Sequence, residues 1–451
     1  MSKATAQAAI PAIAPGPRGV GSLLRILRDP LGQMTAIARE HGPVARVKLG
    51  ARVNHLVTSP DHVRHVLVDG AARYHKGRTF EKTRGYLGNG LATSAGDFWR
   101  RQRRIMQPHF HKEQIRGVGE LMTRTIGETV ALWQARAERG ETFDAWADMM
   151  SMALHVTTRS LFGAIVDQDV AAIVESFQIA LDHTTSRVLA PVEIPAWLPI
   201  ASNLRFRRAI RTLDEIVYRV IDQQREQPEA ANLLAVLLAS RDAETGESMS
   251  AEQLRDEVMT LMLGGHETTG NALAWTWYLL AKNPAVDATM REEIAALAGK
   301  PPGMEDLARL AYTQMVFQES LRLYPQNWVM SRDTLEEDEI AGYTIPADTT
   351  VFLGVYVVHR DPAHWSEPER FDPLRFTAEA ARGRDPFAYL PFGGGQRKCI
   401  GANFATMEAT LALASLAQRF RVEVPADHQV GLLPRFALRP KGGVPVRLTA
   451  L

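Results

Sequence analysis

Between Ser250 and Asn283 the chain carries Leu254, Val258, Leu261, Met262, Gly265, Thr269, Ala272 and Thr276 at helical spacing. Ser250 followed by Gln253 reads as a capping box, and Asn283-Pro284 stops the segment. A helix of about thirty residues exceeds the usual globular length of roughly 10–14. So long a rod cannot lie on a surface patch, and the pattern predicts that it runs through the centre of the protein.

The rest of the chain fits around such a rod. Helical periodicity dominates from Lys112 to Leu297, broken by Pro191 to Pro199 and by Pro228. Further helices are expected over Tyr312 to Tyr324 and Ala402 to Arg419. Strand-like pieces are Val44 to Leu49, His55 to Val57, Tyr343 to Ile345, Thr350 to Val358 and Val444 to Thr449. The fold class is therefore mainly α with small β-sheets (α+β). No linker divides it, so residues 20–451 read as a single domain behind an N-terminal extension, 1–19, entered through Pro15-Gly16-Pro17.

Formal net charge is +1 over 451 residues, which gives no global pull toward nucleic acid or membrane surfaces. No apolar run reaches the length of a membrane span, and Met1 to Pro15 lacks a signal-peptide pattern. One cysteine excludes an intramolecular disulfide and a multi-cysteine zinc site. A soluble, cytoplasmic protein without a membrane anchor is expected, and a lone Cys is by default a small buried hydrophobe.

The neighbours of that cysteine argue otherwise. In Phe392-Gly393-Gly394-Gly395-Gln396-Arg397-Lys398-Cys399-Ile400-Gly401 three glycines permit backbone paths closed to other residues. Cys399 precedes a helix, whose free N–H groups favour a thiolate, and Arg397 and Lys398 are expected to push the same way. A phosphate loop is ruled out, because Lys398 lacks the Walker spacing and the following Ser or Thr. Gly88-Asn89-Gly90-Leu91-Ala92-Thr93 lacks the third glycine of a dinucleotide fingerprint.

Gly264-Gly265-His266-Glu267-Thr268-Thr269 lies midway along the long helix. Each glycine there weakens a helix by roughly 1 kcal/mol. Two readings account for them: close approach of a flat ligand, or a helix crossing with small residues at the contact. A zinc-protease motif needs a His at position 270, which is Gly. Thr268 can return its hydroxyl to the Gly264 carbonyl.

Phe392, Gly395, Arg397, Cys399 and Gly401 resemble, without departure, the haem-binding pattern F-x-x-G-x-R-x-C-x-G of the cytochrome P450 family. The Gly264 to Thr269 stretch resembles its A/G-G-x-D/E-T-T/S pattern. The resemblance implies a triangular helical domain holding haem b, with Cys399 as proximal thiolate, whose electron donation favours O–O cleavage. It implies that Phe392 shields the sulfur and that Gly401 belongs to the haem loop. Gly264 and Gly265 would border the haem, and Glu267 and Thr268 would form the acid–alcohol pair delivering protons, with an outward salt bridge as the alternative for Glu267.

Trp99 and Arg103 match the family's W-x-x-x-R, and with Arg332 and Arg397 they would bind the haem propionates. Glu319 and Arg322, three apart, are by spacing an ordinary helix-face ion pair. The resemblance makes them a structural E-x-x-R, completed by the Arg of a P-x-R-F segment, with Arg375 favoured over Arg370. Arg78 to Thr93 and Ile179 to Ile200, where loop signals mix with apolar residues, would form the variable roof. Phe80, Leu87, Leu91, Leu261, Trp328, Val329, Phe436 and Ala437 are candidate substrate contacts, though all would serve equally as core.

Their apolar character favours a terpenoid, fatty acid or polyketide. The implied reaction is insertion of one oxygen atom from O2 into such a molecule, by hydroxylation or epoxidation, in a monomer fed by a ferredoxin and ferredoxin reductase. A peroxide-driven peroxygenase and a non-catalytic haem-binding protein are the alternatives. Arg100, Arg101, Arg104 and Lys112 read either as a solvated patch or as a dock for an acidic electron donor.

Overall fold

The computed structural model describes residues 16, 21–49, 52–111, 117–163, 168–189, 195, 197–227, 232–242, 244–425 and 428–451. The 1–19 extension (Gly16 apart), Lys112, Pro191 and Pro228 lie outside them. Seven helices carry the argument: α1 (Gly96–Met106), α2 (Ala145–Phe162), α3 (Val170–Leu189), α4 (Ala201–Glu226), α5 (Ala251–Lys282), α6 (Ala311–Leu323) and α7 (Ala402–Ala417).

The central rod is α5, and its ends are where the capping signals put them. Gln253 N–H donates to Ser250 Oγ at 3.1 Å, and Ser250 N–H donates back to Gln253 Oε1 at 2.8 Å. Asn283 closes it. The helix is buried on nearly every side, Trp275 and Trp277 included, so its neighbours must approach closely. On the α2 side the glycines make this feasible. A Cβ at Gly265 would lie 2.5 Å from Thr157 Oγ1, and one at Gly270 2.7 Å from Met150 Sδ. On the other side Thr276 Oγ1 donates to Ser320 Oγ of α6 at 2.9 Å.

A five-stranded sheet flanks the helices, in the order β1 (Val44–Leu49), β2 (Arg52–Val57), β5 (Thr350–Leu353), β4 (Met330–Thr334), β3 (Tyr74–His75). Only the β2–β5 pair is parallel. Two expected elements end differently. The strand foreseen over Thr350 to Val358 stops at Leu353, because Gly354 turns the chain into a short helix, Val355–Val358. The stretch from Ile179, read as loop, is the second half of α3 as far as Leu189; Phe177 and Leu181, a turn apart, anchor it in the core.

Glu319 and Arg322 are fully buried rather than on the surface. Arg322 Nε and Nη2 grip the carboxylate at 2.7 and 2.8 Å, while Nη1 donates to the carbonyls of His359 and Pro368. Arg375 Nε lies 3.3 Å from Glu319 Oε1, whereas Arg370 is exposed and pairs with Glu367. The cluster thereby gathers the long irregular segment that leads to Cys399. His359, held neutral by burial with its pKa lowered to about 3, accepts the Leu390 N–H at 2.7 Å and ties the same segment again.

Candidate active site

Cys399 sits on the turn that feeds α7. Its N–H donates to Phe392 O at 2.9 Å, closing the loop on itself. Gly393 and Gly395 have φ of +72° and +65°, and a Cβ at Gly395 would stand 2.2 Å from Leu67 O. The glycine run is thus a backbone requirement at two positions. The sulfur opens onto an internal cavity that Phe392, Arg397, Lys398, Ile400 and Gly401 also line. Burial pushes its thiol above the usual range; the Gly401 N–H, Arg103, Lys76 and Lys398 pull the other way. Arg397 is engaged elsewhere as well. Its guanidinium turns aside to stack on Trp99 at 4.2 Å and to donate to Ser94 O at 3.0 Å.

Gly264, Gly265, Thr268 and Thr269 of α5 line the same cavity. Thr268 Oγ1 donates to Gly264 O at 2.7 Å, the local return bond foreseen from sequence. The two glycines divide their roles. A Cβ at Gly264 would meet nothing within 4 Å, so this residue keeps the cavity clear; Gly265 is needed for packing on Thr157. Glu267 points away from the cavity. It is fully buried, and Arg439 Nε donates to its Oε1 at 2.8 Å while Oε2 has no partner. Burial raises its carboxyl and Arg439 lowers it.

Arg439 lies on a hairpin of β6 (Gly431–Pro434) and β7 (Leu438–Lys441). The turn of that hairpin puts Phe436 on the cavity wall. Ala437, expected beside it, is 1% exposed and does not line the cavity; Pro434, Arg435 and Phe436 before it do. The other candidate contacts, Phe80, Leu87, Leu91, Leu261, Trp328 and Val329, are all brought to the wall.

Trp99 and Arg103 of α1, Arg332 of β4 and Arg397 converge at one edge of the cavity, joined by Lys76, which no sequence motif marked. Lys76 follows β3, which pairs with β4 through Tyr74–Thr334 and His75–Asp333; this non-local pairing puts it beside Arg332. Among the described residues none of Lys76, Arg332 and Arg397 is paired with a carboxylate. Burial and mutual repulsion hold Lys76 well below its ordinary value and bring Arg397 to about 10; burial alone brings Arg332 there. Uncompensated buried cations are costly unless an anion completes them.

The basic patch is partly neutralised within the chain. Arg100 pairs with Asp97, Arg101 with Asp242 and Glu247, and Arg104 with Asp242 and Glu244. These arginines are committed to carboxylates of their own chain.

The cavity measures about 1510 Å3, beyond the ~300–1,000 Å3 of ordinary small-molecule sites. The Cys399 thiol on one wall, a helix cleared by Gly264, and cations awaiting carboxylates at the edge fit a haem with room for a second ligand. Comparison with known proteins agrees. The cytochrome P450 family model matches residues 15–444. Cyclooctatin synthase of Streptomyces melanosporofaciens is 38% identical over 422 residues, 93% of this chain and 91% of that protein. Cyclooctat-9-en-7-ol 5-monooxygenase of the same organism is 35% identical, covering 89% of this chain and 87% of the relative. Pentalenene oxygenase of Streptomyces avermitilis is 33% identical over 91% of each chain. The crystal structure of the cytochrome P450DA heme domain superposes with a TM-score of 0.89 at 27% identity, covering 98% of this chain and 99% of that one. The chain belongs to the cytochrome P450 family and is a haem-thiolate monooxygenase.

Proposed function

We propose that the protein hydroxylates or epoxidises a terpenoid, using haem b held by Cys399 and electrons from a ferredoxin and its reductase. The observation that carries this reading is the juxtaposition of the Cys399 sulfur with the Gly264–Thr268 segment across one cavity. Terpenoid, rather than fatty acid or polyketide, is favoured by the names of the relatives. A haem without thioether attachment follows from the cysteine count, since covalent attachment of c-type haem uses a C-x-x-C-H motif and the chain has one Cys.

When bound, the haem supplies the redox chemistry that splits dioxygen. Overall, two electrons, two protons and O2 convert R–H to R–OH and water. The chain's own residues do the rest. Trp99, Arg103, Arg332, Arg397 and Lys76 hold the propionates, and Phe392 covers the sulfur. Thr268 Oγ1 passes a proton into the cavity, with Glu267 as the reserve acid behind the helix. Leu87, Leu91, Leu261, Trp328, Val329, Phe80 and Phe436 exclude water and offer the substrate an apolar seat.

Residues 20–451 act as one domain in a cytoplasmic monomer. Among the described residues no helix is long and apolar enough to cross a membrane. The test is spectroscopic. Reduced protein under carbon monoxide is expected to show the red-shifted Soret band of thiolate ligation, and Cys399→Ser is expected to lose it. A Ser variant that keeps the band overturns the assignment.

A further inference from the structure

The Gly88 to Thr93 stretch, dismissed as a nucleotide loop, has a structural explanation of its own. It lies against the first turns of α5, closer than side chains permit. A Cβ at Gly88 (φ +60°) would stand 2.0 Å from Asp256 Oδ1, and one at Gly90 2.3 Å from Thr260 Oγ1 and 2.5 Å from Asp256 O. Two carboxylates receive the loop's backbone there. Asn89 N–H donates to Asp256 Oδ2 at 2.6 Å, and Leu91 N–H donates to Glu257 Oε2 at 2.9 Å.

These groups are buried, with Asp256 6%, Glu257 1% and Arg255 8% exposed. No cation neighbours Glu257 among the described residues, and burial pushes its carboxyl up to about 8. The Leu91 N–H donates to this carboxyl, so an opened loop would leave a buried carboxyl oxygen unsatisfied. Arg255 extends the chain of contacts. Its Nη1 donates to Asp256 Oδ1 at 2.9 Å, and its Nε to Asp214 Oδ1 of α4 at 2.7 Å. Leu91 and Ala92 on the loop, and Phe206 on α4, all line the cavity. One ionic chain, Asp214–Arg255–Asp256, therefore joins two separate parts of the roof to the central helix.

We propose that Arg255, Asp256 and Glu257 form a latch that holds the Gly88–Thr93 loop and α4 shut together over the substrate pocket, and that ligand exchange requires it to open. They are positioning residues: none lines the cavity, and they act through Leu91, Ala92 and Phe206. The inference rests on the cavity being the substrate pocket of the proposed monooxygenase.

Hydrogen–deuterium exchange on the full haem-loaded chain reads the latch directly, without turnover. Asp256→Ala and Glu257→Ala are expected to speed exchange in peptides spanning 88–94 roughly tenfold, the loss of one hydrogen bond to a buried side-chain acceptor. Exchange in α6 should not change. Glu257→Gln keeps an acceptor for Leu91 and is expected to restore protection. Gly90→Ala should imitate Glu257→Ala by steric displacement. Arg255→Gln is expected to loosen 88–94 and 201–214 together.

Stopped-flow binding of 4-phenylimidazole supplies the second readout. Association and dissociation rates should rise by similar factors in Asp256→Ala and Glu257→Ala, with little change in affinity. Faster exchange in the loop with unaltered probe rates would reduce the contacts to static support and overturn the latch. So would an Arg255→Gln variant that loosens only one of the two segments. Failure of the monooxygenase reading shows separately, as an unmutated protein without the thiolate Soret band.

Discussion

His266 and Glu267 sit side by side on α5, both buried, with opposite consequences for pH. Glu267 has Arg439 to offset its charge; among the described residues both ring nitrogens of His266 lack a hydrogen-bond partner. Burial first, and Arg439 second, lower His266 to about 3. The unfolded chain takes up that proton near 6.5, whereas the folded chain resists until about 3. Stability contributed by the neutral ring is therefore present above 6.5 and lost progressively as pH falls toward 3. A His266→Leu variant should show a shallower decline in urea midpoint between pH 6.5 and 4, by up to about 1.4 kcal/mol per pH unit. His55 and His359 act with the same sign, so part of the slope should survive. A variant as acid-labile as the parent would exclude His266 as a contributor.

Residue identity was most legible where a local motif carried it. Cys399, Thr268, Trp99 and Arg103 were all found from spacing of four residues or fewer between motif members. Lys76 was not, because only the β3–β4 pairing brings it to Arg332. For Glu267 an outward salt bridge was one of the two expected arrangements, but its partner was hidden, because Arg439 comes from a hairpin far along the chain.

At the scale of elements, α5 shows how one helix reconciles two demands. Its α2 face is shaved at Gly265 and Gly270 so that backbones can meet; its cavity face is shaved at Gly264 so that nothing protrudes. The sequence pattern offered ligand approach and helix crossing as rivals, and each holds for a different glycine. Boundaries followed capping chemistry closely at Ser250 and Asn283. They failed at Gly354, where a β-rich run conceals a turn, and at Ile179, where loop-like composition belongs to a helix.

The α6 cluster makes a sharper prediction. Glu319→Ala leaves Arg322 buried without its carboxylate, which should cost about 3–5 kcal/mol by chemical denaturation. Because the cluster gathers the 359–398 segment, weakened retention of the Cys399 loop should accompany it, read as a lower yield of the thiolate Soret band. Arg370→Ala, whose side chain is exposed, should change neither. Equal losses in the two variants would mean that the wrong arginine has been joined to Glu319.

Across the whole molecule, the near-neutral total conceals an uneven placement of charge. Cations at the cavity edge are left without carboxylates, while the arginines of α1 have several. A sum over the sequence cannot distinguish these arrangements, which is why the basic patch looked like a dock. Arg100→Ala and Arg104→Ala should therefore alter ferredoxin-dependent reduction rates by less than about twofold at low and moderate salt, given the small worth of such exposed pairs. A steep loss of rate, abolished by salt, would show that these side chains leave their carboxylates for the donor.

The carboxylates beneath the roof hold main-chain N–H groups, and main-chain groups are the same whatever side chain they carry. Position 91 can accordingly be exchanged among apolar residues, reshaping the seat offered to a ligand, while its tether stays intact. Positions 88 and 90 have no such latitude. A lineage diversifying its substrates, or a laboratory library, has a renewable surface at 91 mounted on a fixed main-chain anchor, and variation should be directed there first.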